Sequence, residues 1–380
     1  MQYRNFGRLD FQVSALGFGC MRLPVSDGER LSPNIVEDEA IGMIRRAIDG
    51  GVNYCDTAYP YHSGASETLL GKALRDGYRE RVKLATKLPV WQVEKPEDFD
   101  RILNDQLRKL QTDHIDFYLL HSLNQHRWRN LVPKYNMLEK AKAALADGRI
   151  RHLGFSMHDT HEIFAEIVNG CDLWDFCQIQ YNYMDIENQA GTRGLKLAAS
   201  KGLAVVVMEP LLGGRLADPP QPVLGMMAAQ KVQRSAADWA LQWLWDQPEV
   251  SVVLSGMSAL PQVEENLVSA SHAATGSFTA ADHELIAKVR EYYRTRTVVP
   301  CTKCGYCMPC PNGVKIPDNF DYFNYAHLFD DVKGARFKYS VFLSADERSG
   351  SCIECGECLE KCPQSIAISD WMPKVTALLA

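Results

Sequence analysis

Eight short apolar runs, each followed by helical patterning, constrain the fold of this chain more than any other feature. They cover residues 15–19, 52–56, 82–87, 115–121, 152–156, 177–181, 204–208 and 250–255. Between them apolar residues recur three and four apart. Ala40, Ile41, Ile44, Ala47 and Ile48 do so, as do Phe99, Leu103, Leu107 and Leu110 behind the start signal Lys95-Pro96-Glu97-Asp98. Strands that are apolar throughout are covered on both faces, which indicates a parallel sheet wrapped in helices. Eight such units in roughly 250 residues predict an α/β fold of the closed (β/α)8 TIM-barrel type. A doubly wound open sheet is the alternative, but the glycine-rich dinucleotide loop that would follow its first strand is missing. Residues 3–13 read as a hairpin ahead of the barrel.

A barrel gathers the C-terminal ends of its strands at one face, and chemistry collects there. Asp56 ends the second run, Lys87 the third and His121 the fourth, while Tyr61 lies five residues past Asp56 in the loop shaped by Pro60. Lys87 sits too late in a buried strand to be a solvated charge, and Asp56 is its expected partner. A cation held beside Tyr61 would lower a phenol pKa of about 10 in water, making Tyr61 a proton donor and acceptor. His121 would orient a carbonyl oxygen. Taken singly, these residues read as a loop-capping Asp, a surface Tyr and a structural His. Their convergence favours a catalytic set.

Residues 1 to about 290 resemble the aldo-keto reductase family of nicotinamide-dependent barrels. The resemblance is carried by Asp56-Thr57-Ala58 with Tyr61, Ser66-Glu67, Lys87, His121, Gly154-Phe155-Ser156, Gln178-Ile179-Gln180-Tyr181-Asn182 and Glu265-Asn266. It implies Tyr61 as general acid tuned by Asp56 and Lys87, with His121 orienting the carbonyl. It also implies that Ser156 and Gln178 hold the nicotinamide carboxamide, and that Glu265 and Asn266 hold adenine. Three places depart from the family pattern. Met157 follows Ser156 where Asn is usual, and Met208 stands where an aromatic commonly stacks on nicotinamide. In Ser255-Gly256-Met257-Ser258 and at Gln262, the Lys and Arg of NADPH-preferring relatives are absent, which leaves NADP and NAD both open. The Ser-Gly loop ahead of a helix at 261–270 still offers backbone N–H groups to phosphate. Loops 22–34, 91–95, 122–134 and 213–224 are expected to wall the substrate pocket. Trp91 and Trp128 either line it or pack at its rim. Arg127 and Arg129 either meet an anionic substrate or remain solvated loop charges.

Of twelve cysteines, eight lie in the last 80 residues, and the composition changes after Pro300. Cys352, Cys355, Cys358 and Cys362, followed by Pro363, have the C-x2-C-x2-C-x3-C-P spacing of bacterial-type ferredoxin ligands; Cys301, Cys304, Cys307 and Cys310, followed by Pro311, differ by one residue. Two 4Fe-4S clusters in a ferredoxin-like domain over 298–380, after a barrel domain over 1–297, are expected, with zinc as the alternative metal. The ferredoxin resemblance implies crossed ligation, Cys301, Cys304 and Cys307 with Cys362, and Cys352, Cys355 and Cys358 with Cys310; local ligation, four and four, stays open. The intervening aromatics Phe320, Tyr322, Phe323 and Tyr325 are expected to dock this segment on the barrel.

No apolar run approaches the ~20 residues of a membrane span, and the N-terminus lacks the basic and apolar regions of a secretory signal. Thiolate-rich motifs without an address for an oxidising compartment suggest the cytoplasm. The net charge of −6 argues against general nucleic-acid binding. The leading functional expectation is an NAD(P)H-dependent oxidoreductase interconverting a small aldehyde or ketone and its alcohol. The alternatives are an enzyme whose clusters pass single electrons to a ferredoxin-like partner protein, and a regulatory subunit that senses nicotinamide.

Overall fold

The computed structural model describes residues 1–29 and 31–380; Arg30, in the loop 22–34 expected to wall the pocket, lies outside the described residues. A hairpin of β1 (Tyr3–Phe6) and β2 (Leu9–Ser14) precedes eight parallel strands: β3 (Leu16–Gly19), β4 (Tyr54–Asp56), β5 (Lys83–Leu88), β6 (Ile115–Leu123), β7 (Ile150–Met157), β8 (Trp174–Gln180), β9 (Ala204–Met208) and β10 (Val250–Ser255). They close in sequence order, β10 pairing with both β9 and β3. The expected TIM barrel is therefore the observed one. Its helices include α1 (Glu37–Asp49), which buries Ala40, Ile44, Ala47 and Ile48. α2 (Ala65–Ala73) and α3 (Glu97–Leu110) follow, and α3 buries Phe99, Leu103 and Leu110.

Six of the eight strands differ from the sequence reading at one or both ends, and two of these differences have a clear local cause. β4 begins at Tyr54 because the Val52 N–H donates to the Ala47 carbonyl and completes the end of α1. β6 runs on to Leu123 through a bulge after Leu120, with Ser122 at a positive φ of 55°. The hairpin closes the end of the barrel where the strands begin. Phe6 is fully buried, its ring 4.5 Å from that of Phe117, among Tyr54, Phe176 and Val206. Gly7 makes the turn at φ +56°, where a Cβ would come within 2.4 Å of the Ala204 nitrogen, so only glycine fits.

The chain forms two compact units, residues 1–210 with 238–277, and residues 211–237 with 278–380. The second holds α-helices Gln221–Ala228, Ala280–Arg294, Ile316–Leu328, Val332–Phe342 and Ile368–Leu379 together with the cysteine-rich segment. Its core gathers Val299, Val314, Phe320, Phe323, Met372 and Val375 around Cys301 and Cys307. Phe320 and Phe323, read from sequence as docking residues, are thus buried inside this unit, and Tyr322 and Tyr325 pack against the same core. With so few apolar residues per cysteine-bearing turn, the aromatics are needed for this unit's own interior. Asn324 clamps the entering chain, accepting from the N–H of Val299 (2.9 Å) and donating to its carbonyl (2.6 Å). Among the described residues no helix is long and apolar enough to cross a membrane.

Candidate functional site

Asp56, Lys87 and His121 come from the C-terminal ends of neighbouring strands and gather around Tyr61. Lys87 is fully buried, and its ammonium donates to Asp56 Oδ1 (2.6 Å), the Thr57 carbonyl (2.7 Å) and the Tyr61 hydroxyl (3.3 Å). All three of its donors are therefore satisfied. Burial pushes the Asp56 carboxyl above the usual carboxylate range, while the Lys87 charge opposes that shift. The His121 ring stands edge-on to Tyr61, centroids 5.9 Å apart. Burial holds its imidazole well below the ordinary value, helped by the positive charges of Lys87 and Arg127, so it is neutral at pH 7. The four residues read from sequence are brought together.

Their placement rests on buried polar contacts. Ser66 Oγ donates to the Cys20 carbonyl (3.0 Å) and shares a 2.9 Å hydrogen bond with Thr57 Oγ1. Glu67 accepts from Thr86 and from Gln106, both at 2.7 Å, and Gln106 also donates to the Lys87 carbonyl (3.1 Å). Tyr61 opens a tight turn, Tyr61–Gly64, in which His62 and Ser63 have positive φ. The His62 ring fastens the preceding loop, pairing with the Ser32 carbonyl (2.7 Å) and accepting the Leu23 N–H (3.3 Å).

On the side where nicotinamide is expected, Ser156 and Gln178 are buried neighbours on β7 and β8. Gln178 Oε1 has no hydrogen-bond partner among the described residues. An orphaned buried acceptor fits the amide N–H of a carboxamide. Ser156 Oγ accepts the Ser122 N–H at 2.7 Å. Met208 is half-buried at the end of β9. Beyond β10, Ser255 accepts from Asn266 (3.0 Å), and the Ser258 N–H donates to Gln262 (2.8 Å); Gly256 and Glu265 are exposed and Met257 is buried. Asn266 thus supports the loop through Ser255, whereas Glu265 remains on the surface. Arg22, missed by the sequence reading, lies against this loop. A Cβ on Gly256 would meet its side chain at 3.2 Å, and it pairs with Glu209 at 3.5 Å. It places a cation beside a loop in which this chain lacks the Lys and Arg of NADPH-preferring relatives. No sequence signal linked Arg22 to residue 256; barrel closure between β3 and β10 does.

The loop residues also separate. Trp91 lies beside His121, ring centroids 5.1 Å apart, and the Arg127 guanidinium sits over Trp91 at 4.6 Å. Trp128 instead packs near Trp174, and Arg129 pairs with Glu166 at 2.6 Å. Trp91 and Arg127 thus stand beside His121, whereas Trp128 and Arg129 contact Trp174 and Glu166.

In the second unit the eight clustered cysteines fall around two cavities. One is lined by Cys301, Cys304, Cys307 and Cys362 with Pro363. The other is lined by Cys310, Cys352, Cys355 and Cys358, and Cys307 lines it as well. Among the described residues no three His, Cys, Asp or Glu side chains are grouped closely enough to hold a single metal ion. The donor set around each cavity includes four thiols, the number of ligands that a 4Fe-4S cluster takes.

Residues 15–291 match the model of the aldo/keto reductase family. The chain belongs to the aldo/keto reductase family. Residues 300–367 match the 4Fe-4S dicluster domain. Among curated relatives, an L-galactose dehydrogenase of Arabidopsis thaliana is 28% identical over 71% of this chain and 88% of its own length. A probable aldo-keto reductase of Glycine max is 26% identical over 69% and 82%. Among solved structures, an aldo-keto reductase from Bacillus halodurans is 27% identical with a TM-score of 0.63, covering 76% of this chain and 96% of its own. An aldo/keto reductase from Klebsiella pneumoniae in complex with NADP and acetate is 25% identical with a TM-score of 0.61, covering 76% and 95%. This family member therefore joins an oxidoreductase barrel to an iron–sulfur domain in one chain.

Proposed function

We propose that the barrel is an NAD(P)H-dependent reductase interconverting a small aldehyde or ketone and its alcohol, with Tyr61 as general acid and base. The observation that carries this is the buried Lys87 ammonium, which touches both the Asp56 carboxylate and the Tyr61 hydroxyl beside a neutral His121. The nicotinamide, when bound, supplies a hydride to the carbonyl carbon. His121 donates a hydrogen bond to the carbonyl oxygen and fixes its direction. Tyr61 gives that oxygen its hydroxyl proton as negative charge develops there, and Lys87 at 3.3 Å stabilises the phenolate left behind. Asp56 holds Lys87 in place; in the alcohol-to-carbonyl direction Tyr61 takes the proton back.

Ser156 and Gln178 would hold the carboxamide. Arg22 and the loop Ser255–Ser258 with Gln262, Glu265 and Asn266 would face the phosphates and adenine, beside Met208. The NADP seen with the Klebsiella relative supports that nucleotide class. The test is an anaerobic aldehyde and ketone panel with NADPH and with NADH, reading nucleotide absorbance. Carbonyl-dependent oxidation of either is expected; none across the panel would refute the reading.

For the second domain, taken as 298–380 after a barrel over 1–297, two 4Fe-4S clusters are proposed. Cys301, Cys304, Cys307 and Cys362 would hold one, and Cys310, Cys352, Cys355 and Cys358 the other. The two cavities support this crossed set over local ligation. The second cavity includes the exposed Cys355, which favours electron exchange with a partner protein as a second reading. Thiolate clusters of this kind suit a reducing cytoplasm.

A further inference from the structure

We propose that Glu67 and Gln106 are positioning residues which, from behind the barrel wall, fix the approach of the Lys87 ammonium to the Tyr61 hydroxyl. The inference rests on the role of Tyr61 proposed above and deepens it.

Successive residues of β5 face opposite ways, so Lys87 reaches into the barrel while Thr86 turns out towards the helices. Behind the strand, Glu67 of α2, Gln106 of α3 and Thr86 are all fully buried. Glu67 Oε1 accepts from Thr86 Oγ1 and from Gln106 Nε2, both at 2.7 Å. The Gln106 amide also donates to the Lys87 carbonyl at 3.1 Å and lies 3.2 Å from Thr86 Oγ1, while its own oxygen accepts the Tyr118 hydroxyl at 2.8 Å. The backbone of Lys87 is thus held from the side opposite its ammonium.

The same carboxyl group reaches the loop that carries the phenol. Glu67 Oε2 is 3.6 Å from Lys109 Nζ, which also pairs with Asp105 at 3.0 Å. That ammonium sits over the ring of Tyr59, 4.0 Å from its centre, and a Cβ on Gly64 would meet it at 3.8 Å. Tyr59 and Gly64 stand on either side of Tyr61, at the two ends of its tight turn. Glu67 therefore joins the clamp on Lys87 to the brace on the Tyr61 turn. Burial raises its carboxyl above the ordinary range, opposed by the Thr86 and Gln106 hydrogen bonds and by Lys109. Apolar side chains of similar volume would fill this layer without that desolvation cost. They would not fix a direction, and the 3.3 Å contact from Lys87 Nζ to the Tyr61 hydroxyl passes out of hydrogen-bond reach with a shift of about 0.5 Å. Lys87, Asp56 beyond it and the neutral His121 face the phenol, so Lys87 contributes the positive charge that favours phenolate.

The test uses the full-length holoenzyme under anaerobic conditions, with the fastest-reduced carbonyl of the panel above and its alcohol. Alcohol oxidation is followed against pH for wild type, Gln106→Met, Glu67→Met and Glu67→Gln, because that direction needs the Tyr61 phenolate. The pH of half-maximal rate should rise by about one unit in each Met variant, so that oxidation below that pH falls about tenfold. Glu67→Gln keeps an acceptor for Thr86 and Gln106 and should stay close to wild type. Gln106→Met and Glu67→Met give separate readings, so one that folds poorly leaves the other. A loss of rate that is equal at every pH, with the midpoint unmoved, would reduce the network to support of the fold and overturn the inference. Unchanged rates and midpoint in the Met variants would overturn it as well. Tyr61→Phe keeps the two readings apart. Wild-type turnover in that variant contradicts the role of Tyr61, whereas an inactive Tyr61→Phe beside unmoved midpoints contradicts only the positioning by Glu67 and Gln106.

Discussion

A lysine with no exposed surface has to be explained residue by residue. Lys87 survives burial because its three donors meet a carboxylate, a carbonyl and a phenol. Lys87→Met leaves Asp56 charged and buried without its partner, so we expect a loss of about 3–5 kcal/mol. In Asp56→Asn/Lys87→Met both charges are gone, and the denaturation midpoint should recover part of that loss. A double variant as unstable as the single one would argue against the pairing. A second consequence concerns acid. Burial pushes the His158 imidazole down to about 4, against a hydrogen bond to Gln189 that favours the charged form. Its unfolded value is about 6.5. The unfolded chain therefore takes the proton first, so the stability from neutral His158 is complete above about pH 6.5 and is lost as pH falls towards 4. His158→Gln should flatten the dependence of the denaturation midpoint on pH across that window; an unchanged slope would count against it. The cluster of Asp56, Tyr61, Lys87 and His121 was legible because each ends or follows a strand. Arg22 was not, and the readings of Trp91 and Arg127 stayed open, since their neighbours are set by loop conformation and by closure between the first and last strands of the barrel.

At the scale of elements, the barrel strands were readable because each is a short apolar run that a charge, a turn or a glycine stops; 204–208 and 250–255 agree with the observed strands at both ends. Errors fell where a helix end borrows from a strand, as at Val52, and where a bulge lengthens one, as at Leu120–Leu123. The hairpin's purpose was hidden in sequence, because Phe6 acquires its neighbours only when the strands close around it. Phe6→Ala should cost about 3–5 kcal/mol, read as a lowered denaturation midpoint, because Phe6 is packed on every side at the mouth of the barrel. A change below 1 kcal/mol would mean the plug is dispensable.

For the molecule as a whole, cysteine spacing announced the metal chemistry, but spacing cannot decide which fourth cysteine serves which set. The cavities group Cys362 with Cys301 and Cys310 with Cys352. A double variant, Cys301→Ser/Cys362→Ser, separates the schemes. With crossed ligation it damages one cluster and should retain about four of about eight iron atoms per chain, whereas with local ligation it strikes both. The barrel's own claim is tested most directly by Tyr61→Phe, which removes a single oxygen. Nucleotide affinity should stay within about twofold, while single-turnover carbonyl reduction falls by about 10²- to 10⁴-fold. Wild-type turnover in that variant would contradict the account at its centre.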